Sequence, residues 1–193
     1  MERKKEDRRV RITKQAIRES LVELMGRQPI SKISVKMICE AADINRSTFY
    51  AHYKDQYALL HAVQGEVIGE VKAQIFSARF FGASGGAMDV LVRILEYGCE
   101  NAALVKVLLS ENGDASFQSE LMQLAHEKFL AELEGERSLP PRTLQYLNEF
   151  AVGGLLSIMR RWLETDCADE PEMIADLMMK LLVSGTQGLY SAK

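Results

Sequence analysis

Apolar residues recur along most of the chain at the spacing of three to four residues that is typical of amphipathic helices. In the first such segment Ile17, Leu21, Leu24 and Met25 share one face, which predicts a helix from about Arg8 to Arg27. No stretch alternates apolar and polar residues between turn signals, as exposed strands do. The pattern therefore predicts an all-α fold.

Two short helices follow, predicted over residues 34–42 and 46–53. Ser34 and Asn45 precede them, and the side-chain oxygen of each can cap a helix start by accepting a hydrogen bond from a backbone N–H. Asp43 lies in the tight turn between them, where aspartate tolerates the left-handed conformation better than most residues. Two short helices joined by such a turn form a helix-turn-helix.

A long helix is predicted from about Asp55 to about Phe81, ending at the glycine-rich segment 82–86. Turn residues divide the rest of the chain into five more helices, which makes about nine in all. We predict these five at about 86–99, 101–111, 114–134, 141–164 and 171–189. The expected architecture is a small three-helix head that a long helix links to a larger helical part.

Charge is distributed unevenly between these two parts. Residues 1–61 carry 13 Lys+Arg against 8 Asp+Glu, whereas residues 62–193 carry 11 against 19. Such a basic head indicates that only this part meets a polyanion. The first residues, 1–8, belong to a basic arm whose cations extend to Arg11. These cations either enter a DNA minor groove or act as a solvated electrostatic aid.

Several classes of protein do not fit the composition. The longest apolar stretch, 151–159, is well short of the roughly 20 residues of a membrane-spanning helix, and no signal-peptide pattern follows the charged start. We therefore expect a cytoplasmic protein with no membrane partner. The three cysteines, Cys39, Cys99 and Cys167, are too widely spaced for a disulfide framework or a CxxC site, and we expect small buried hydrophobic residues.

Catalytic motifs are also missing from the sequence. His126 and Glu127 begin an HExxH pattern, but position 130 is leucine, so the second zinc ligand of that motif is absent. The sequence contains no Walker or GxGxxG motif. We expect a protein that is not an enzyme and needs no metal or cofactor.

The segment 34–60 contains a long motif, which includes Ser-Thr-Phe-Tyr-Ala-His-Tyr-Lys-Asp at residues 47–55. It resembles the DNA-binding domain of TetR-family transcriptional regulators, and residues 9–61 match that pattern. The resemblance implies a helix-turn-helix domain over residues 1–61 and a helical effector-binding and dimerisation domain over residues 62–193. Two positions depart from the family pattern, since Asp43 replaces the usual glycine and Gln56 replaces a frequent lysine.

The second short helix is the expected recognition helix. Arg46 and Ser47 open it and can read base edges in the major groove, where arginine prefers guanine. Asn45 belongs to the same predicted DNA-binding group. The resemblance implies that the next donors mostly contact phosphates or sugars: Thr48, Tyr50, His52 and Lys54.

Three residues outside this helix complete the predicted DNA interface. Lys36 matches a position that contacts a base in some family members, and a phosphate contact is the equally weighted alternative. Thr13 and Ser34 are placed near the starts of their helices, where backbone amides can receive phosphates.

The last two predicted helices look like those that form a four-helix bundle between two subunits in TetR-like regulators. We therefore expect a homodimer, which also matches the two-fold symmetry of a palindromic operator. The alternative is that the same side chains are buried within one chain. The predicted interface comprises Leu147, Ala151, Gly154, Leu155, Ile158, Leu177, Met178 and Leu181.

A small-molecule site is expected among the middle helices. Apolar walls with a few polar tips are typical of such a site, although any helical core contains the same residue types. The candidates are Tyr97, Met122, His126, Phe129, Tyr146, Phe150, Met159 and Trp162. They favour a small apolar or amphipathic effector.

Together these features predict a sequence-specific regulator that binds double-stranded DNA. The expected form is a dimeric repressor on a palindromic operator, released by a small-molecule effector. A co-regulator or activator of the same fold that acts through a protein partner is the alternative.

Overall fold

The computed structural model describes the backbone of residues 2–77, 86–133 and 140–190, and side chains over 8–77, 86–131 and 140–182. All regular structure in these ranges is helical, which confirms the all-α prediction. None of the helices described there is long and apolar enough to cross a membrane.

The described residues form nine α-helices and a short 3₁₀ helix at Ile30–Lys32. The α-helices are α1 (Glu2–Met25), α2 (Val35–Ala41), α3 (Arg46–Tyr50), α4 (Gln56–Phe76), α5 (Gly86–Glu100), α6 (Ala102–Leu109), α7 (Ala115–Leu133), α8 (Pro141–Glu164) and α9 (Pro171–Tyr190).

Several helix bounds differ from the sequence prediction; α3, for example, ends at Tyr50 instead of about Tyr53. Helix α1 begins at Glu2 instead of about Arg8. Glutamate, arginine and lysine favour helix even where no apolar stripe marks it, so periodicity alone does not show this extension. Helix α4 ends at Phe76; the predicted end at Phe81 and the segment 82–85 lie outside the described residues.

The chain divides into two compact units. The first comprises Met1–Val67 together with Val107–Phe117, and the second comprises Ile68–Lys106 together with Gln118–Lys193. The predicted boundary after residue 61 divides the chain differently from these units. Nothing in the apolar pattern of the sequence indicates that residues 107–117 join the first unit.

The core of the first unit includes the long helix α1 and the two short helices α2 and α3. Within it, α1 packs against α2 and α2 against α3. Ile17 of α1, Ile38 of α2 and Phe49 of α3 are all fully buried. The apolar faces of these three helices are buried against one another, so their polar faces remain available to solvent or a ligand.

In the second unit α5 packs against α9 and α8, and α8 packs against α9. One core cluster joins α7, α8 and α9 and comprises Phe129, Leu147, Ala151, Val152 and Leu182. Elsewhere Gly98 of α5 allows a close approach of α8, since a Cβ there would lie 2.8 Å from Cε of Met159.

Candidate DNA interface and effector region

The turn between α2 and α3 has a defined hydrogen-bonded geometry. Ile44 N–H donates to the carbonyl oxygen of Cys39 at 3.0 Å, and Asp43 N–H donates to that of Glu40 at 3.4 Å. These two bonds form a Schellman motif, which requires a left-handed residue after the helix. Asp43 is that residue, with φ of 50°, so the prediction for Asp43 is confirmed.

Asn45 organises the first turn of α3. Its Oδ1 accepts hydrogen bonds from the backbone N–H of Thr48 at 2.8 Å, from Oγ1 of Thr48 at 2.9 Å and from Oγ of Ser47 at 2.5 Å. The predicted cap is therefore confirmed. Because both hydroxyl protons are already donated to Asn45, Ser47 and Thr48 can donate to DNA only by giving up these bonds.

The outward face of α3 carries the polar residues of the predicted interface. Arg46 and Ser47 are exposed, and Tyr50 is 56% exposed, whereas Phe49 between them is fully buried. The Tyr50 ring meets the Phe49 ring edge-on, with centroids 5.7 Å apart and an interplanar angle of 88°. This contact holds Tyr50 in place while its phenol faces outward.

Three further basic or imidazole groups flank this face. Lys36 of α2 and Lys54 after α3 are exposed, and His52 is half-buried with its ring 6.4 Å from that of Tyr53. Nζ of Lys36 lies 3.6 Å from Oε1 of Glu40, one turn further along α2. Lys36 therefore already has a carboxylate partner in the free protein.

The two predicted phosphate sites at helix starts differ in their placement. Ser34 does cap α2, since its Oγ accepts the backbone N–H of Met37 at 3.3 Å. Thr13 does not lie near a helix start, because α1 begins at Glu2. It lies about three turns into the helix, where backbone amides are used in i→i−4 bonds. Only the half-buried side chain of Thr13 is available for contact.

An ion pair joins the middle of α4 to α1. Nη1 of Arg18 lies 2.9 Å from Oε2 of Glu66. Tyr53 lies nearby; burial raises the pKa of its phenol, Glu66 raises it further, and Arg18 opposes both. Asp55 caps α4 by accepting the N–H of Ala58 at 2.8 Å. These contacts position the element that follows the recognition helix.

Only some of the candidate effector residues lie together. Phe129 belongs to the core cluster of the second unit, and Met122 packs against that cluster. Nε2 of the half-buried His126 on α7 lies 3.7 Å from Oε2 of Glu149 on α8. Two buried polar atoms on the same two helices, Nδ1 of His126 and Oδ1 of Asn148, have no hydrogen-bond partner among the described residues. Asn148 was not predicted from the sequence.

The remaining effector candidates lie elsewhere. Trp162 is buried, and its Nε1 donates to the carbonyl oxygen of Asp169 at 2.9 Å, so its polar tip is already used. Tyr97 and Met159 are half-buried. Tyr146 and Phe150 are 68% and 72% exposed, which places them on the surface of α8 instead of in an interior wall.

The predicted dimer residues divide into buried and exposed groups. Leu147, Ala151 and Met178 are buried within the single chain, which is the alternative that the sequence left open for them. Leu155 and Ile158 are half-buried, whereas Gly154, Leu177 and Leu181 are exposed.

Two exposed stripes run along α8 and α9 and together form what we term the apolar face. Each stripe has residues at intervals of four. They are Tyr146, Phe150 and Gly154 on α8, and Met173, Leu177 and Leu181 on α9. Met173 was missed at the sequence level, although the four-residue spacing from Leu177 could have indicated it.

Comparison with protein families supports the assignment made from the motif. Residues 17–63 match the family described as "Bacterial regulatory proteins, tetR family", and residues 87–184, just over half of the chain, match "Transcriptional regulator C-terminal region" of the TetR type. The chain belongs to the TetR family of transcriptional regulators. The first match covers the helix-turn-helix formed by α2 and α3, so this TetR-family protein has the DNA-binding element of the family.

Solved structures of other TetR-type proteins share the fold. A TetR transcriptional regulator from Streptococcus agalactiae 2603V is 22% identical, with a TM-score of 0.63 over 92% of this chain and 97% of that one. NalD, the secondary repressor of the MexAB-OprM multidrug efflux pump in Pseudomonas aeruginosa, is 17% identical, with a TM-score of 0.61 over 90% and 94%.

A third similar structure is FadR from Bacillus subtilis in complex with stearoyl-CoA, which is 12% identical, with a TM-score of 0.63 over 89% and 98%. At these identities the likeness concerns the fold. A search of curated proteins found no match.

Proposed function

We propose that the chain is a sequence-specific repressor that binds a palindromic operator as a homodimer and is released by a small-molecule effector. The observation that carries this proposal is the first turn of α3. Asn45 fixes this turn by three hydrogen bonds, and Arg46 at the start of α3 and Tyr50 at its end project into solvent. A short helix that is buried on one side and rich in donors on the other fits the major groove.

Within this proposal the residues have different tasks. Arg46 reads a base edge, where its guanidinium can make two hydrogen bonds to guanine. Ser47 reads a base edge beside it. Tyr50, Lys36 and Lys54 contact the sugar-phosphate backbone and set the register, as do His52, Ser34, Thr48 and the side chain of Thr13. Asn45 contributes through its amide nitrogen, because its oxygen is occupied by the cap. Residues 1–61 form the DNA-binding domain, and residues 62–193 form the effector and dimerisation domain. The protein acts in the cytoplasm.

The apolar face supports the dimer. Phe150 and Leu177 are 72% and 45% exposed, and isolated exposed side chains of this size are ordinary, whereas two parallel stripes are typical of an interface. At Gly154 an added Cβ would meet no atom within 4 Å, so a partner helix can approach closely there. A second copy related by a two-fold axis presents two recognition helices to a palindrome.

The interior of the second unit supports an effector. Nδ1 of His126 and Oδ1 of Asn148 are buried polar atoms without partners among the described residues, and such atoms are costly unless a ligand or water satisfies them. The neighbouring core cluster is apolar. An amphipathic molecule with a hydrogen-bonding group matches both features. The described part of α4 contributes residues to both units, which supports transmission of an effector signal along this helix.

Selection of bound duplexes from a random DNA library tests the central claim. The wild-type chain is expected to enrich one palindromic sequence, and Arg46→Ala is expected to lose that enrichment. Arg161→Ala is the matched control, because it removes the same charge from an exposed position on α8. If the folded, dimeric wild-type chain enriches no sequence, the co-regulator alternative replaces the proposal.

A sedimentation experiment tests the dimer. Leu177→Asp places a charge in the apolar face and is expected to shift the chain to monomer at micromolar concentration. Ser119→Asp adds the same charge on an exposed part of α7 and is expected to leave the dimer intact. A dimer that persists unchanged in Leu177→Asp would exclude the apolar face as the interface.

A further inference from the structure

Two polar side chains lie on the helix faces that build the apolar cluster of the second unit. His126 of α7 has Met122 one turn before it and Phe129 one turn after it, and both of these residues are part of the cluster or pack against it. Asn148 of α8 is only 4% exposed, and Val152, one turn after it, belongs to the same cluster. Residues three or four apart share a helix face, so the cluster holds two polar side chains from facing helices.

The unpaired atom of each of these side chains is a hydrogen-bond acceptor. Oδ1 of Asn148 and Nδ1 of His126 are buried and have no partner among the described residues. Nε2 of His126 faces Oε2 of Glu149 at 3.7 Å. Because a carboxylate can only accept, this neighbour favours the neutral ring with its proton on Nε2. Nδ1 is then left as a second acceptor.

Two buried acceptors of this kind select for a ligand that brings protons. Leaving them unpaired costs free energy, and a ligand carboxylate has no proton to give at neutral pH. A primary ammonium group has three N–H donors, which is enough for both acceptors. The side chain of Glu149 is 74% exposed beside His126, and its negative charge compensates a cation there.

Lys128 is the feature of α7 that an anionic ligand would use. It is buried, and its Nζ lies 5.6 Å from the centroid of the Phe76 ring of α4. A cation over an aromatic face is already in a favourable contact. A comparison of a cationic probe with an anionic probe therefore separates recognition by the two acceptors from recognition by Lys128.

We propose that the effector is an amphipathic primary amine. Its ammonium group donates hydrogen bonds to Nδ1 of His126 and to Oδ1 of Asn148, and its apolar part packs against the cluster of α7, α8 and α9. This inference rests on the effector part of the proposed function and adds the chemical class of the molecule. The direction of the hydrogen bonds, from ligand to protein, is what distinguishes an amine from a fatty acid of the same length.

Calorimetric titration of the full wild-type chain at pH 8 tests the proposal with two probes of equal chain length, n-octylamine and sodium octanoate. Octylamine is expected to bind at least about tenfold more tightly, which is the effect of one hydrogen bond from a charged donor. The proposal is overturned if octanoate binds as tightly as octylamine, or if neither probe binds.

Variants of Asn148 test the direction of the hydrogen bond. Asn148→Leu keeps the branched shape without the acceptor and should weaken octylamine binding by about tenfold or more. Asn148→Asp keeps an acceptor and removes the N–H donors, so it should bind octylamine at least as tightly as the wild type. Gln145→Leu removes an amide from an exposed position of the same helix and should bind like the wild type.

Asn148→Leu binding as tightly as the wild type would also overturn the proposal. The two wild-type titrations decide the question even if a variant does not fold.

Failure of this inference can be told apart from failure of the proposed function. The titrations contain no DNA, so a preference for octylamine that depends on Asn148 supports the inference even in a chain that enriches no operator. If octanoate releases the chain from its operator and octylamine does not, the inference is wrong while release by a small-molecule effector stands.

Discussion

Arg18 of α1 and Glu66 of α4 form an ion pair at 2.9 Å that connects the first helix of the DNA-binding element to the helix that follows it. Tyr53 lies between these helices in sequence, and the charges of both Arg18 and Glu66 influence the pKa of its phenol. Its half-buried phenol is therefore a probe of this junction, and its ionisation couples to folding.

Alkaline pH should destabilise the fold through Tyr53. Burial, followed by Glu66, raises the pKa of its phenol above the ordinary value of 10.0. A raised folded-state pKa contributes stability that is fully present below the unfolded-state pKa and is lost as the pH rises through the folded-state pKa. Urea unfolding at pH 8 and above pH 10 should therefore show a smaller loss of stability in Tyr53→Phe than in wild type.

The exposed Tyr57 offers a matched control for this measurement. Tyr57→Phe should retain the wild-type dependence on alkaline pH. Equal losses in all three proteins would mean that Tyr53 does not couple to folding.

Asp43 should limit the stability of the helix-turn-helix. Its φ of 50° suits glycine better than aspartate, so Asp43→Gly should raise the free energy of unfolding by about 0.5–1 kcal/mol. Asp43→Val should lower it by on the order of 1 kcal/mol or more, because a β-branched residue is strained there. Thermal unfolding of the two variants gives opposite shifts if the turn is as described, and shifts of the same direction would contradict it.

Asn45 allows stability and DNA binding to be separated. Asn45→Ala removes the acceptor of three hydrogen bonds and should cost about 1–2 kcal/mol of stability. Asn45→Asp keeps an acceptor at the same place and should retain most of the stability, while its negative charge weakens binding to DNA phosphates. Chemical denaturation and a binding titration at fixed salt distinguish the two effects. An Asn45→Asp variant as unstable as Asn45→Ala would argue against the cap.

Glu40 should compete with DNA for Lys36. The ion pair between them is exposed on both sides, so breaking it costs little in stability. Glu40→Gln frees Lys36 and should tighten DNA binding by about two- to fivefold. Lys36→Ala should weaken binding and lower the salt dependence by about one counterion. Titrations over a salt series measure both, and an unchanged salt dependence in Lys36→Ala would remove this residue from the interface.

The fold was largely predictable from the sequence because apolar periodicity and caps are local signals. Asn45 caps α3 and Asp43 adopts the left-handed conformation, as predicted, since both of these roles depend only on neighbouring residues. The start of α1 was not predictable from periodicity, because a charged helix segment carries no apolar stripe. Thr13 therefore lies in a helix interior instead of at a helix start.

The predictions for the second half depended on tertiary packing and were less complete. Phe150 and Phe129 have the same side chain, yet one is 72% exposed and the other 7%. Which phenylalanine faces the core depends on how α7, α8 and α9 pack together, and the helical period alone cannot decide it. The burial of the cysteines likewise depends on packing, since Cys39 is buried whereas Cys99 and Cys167 are half-buried.

The buried position of Trp162 has a practical consequence. The chain contains one tryptophan, so its intrinsic fluorescence originates from a single place, the end of α8, where the indole N–H donates to the carbonyl oxygen of Asp169. Indole emission moves to longer wavelength when water reaches the ring. The wild-type protein therefore carries its own optical reporter for the connection between α8 and α9, and opening of that connection can be followed without any attached dye.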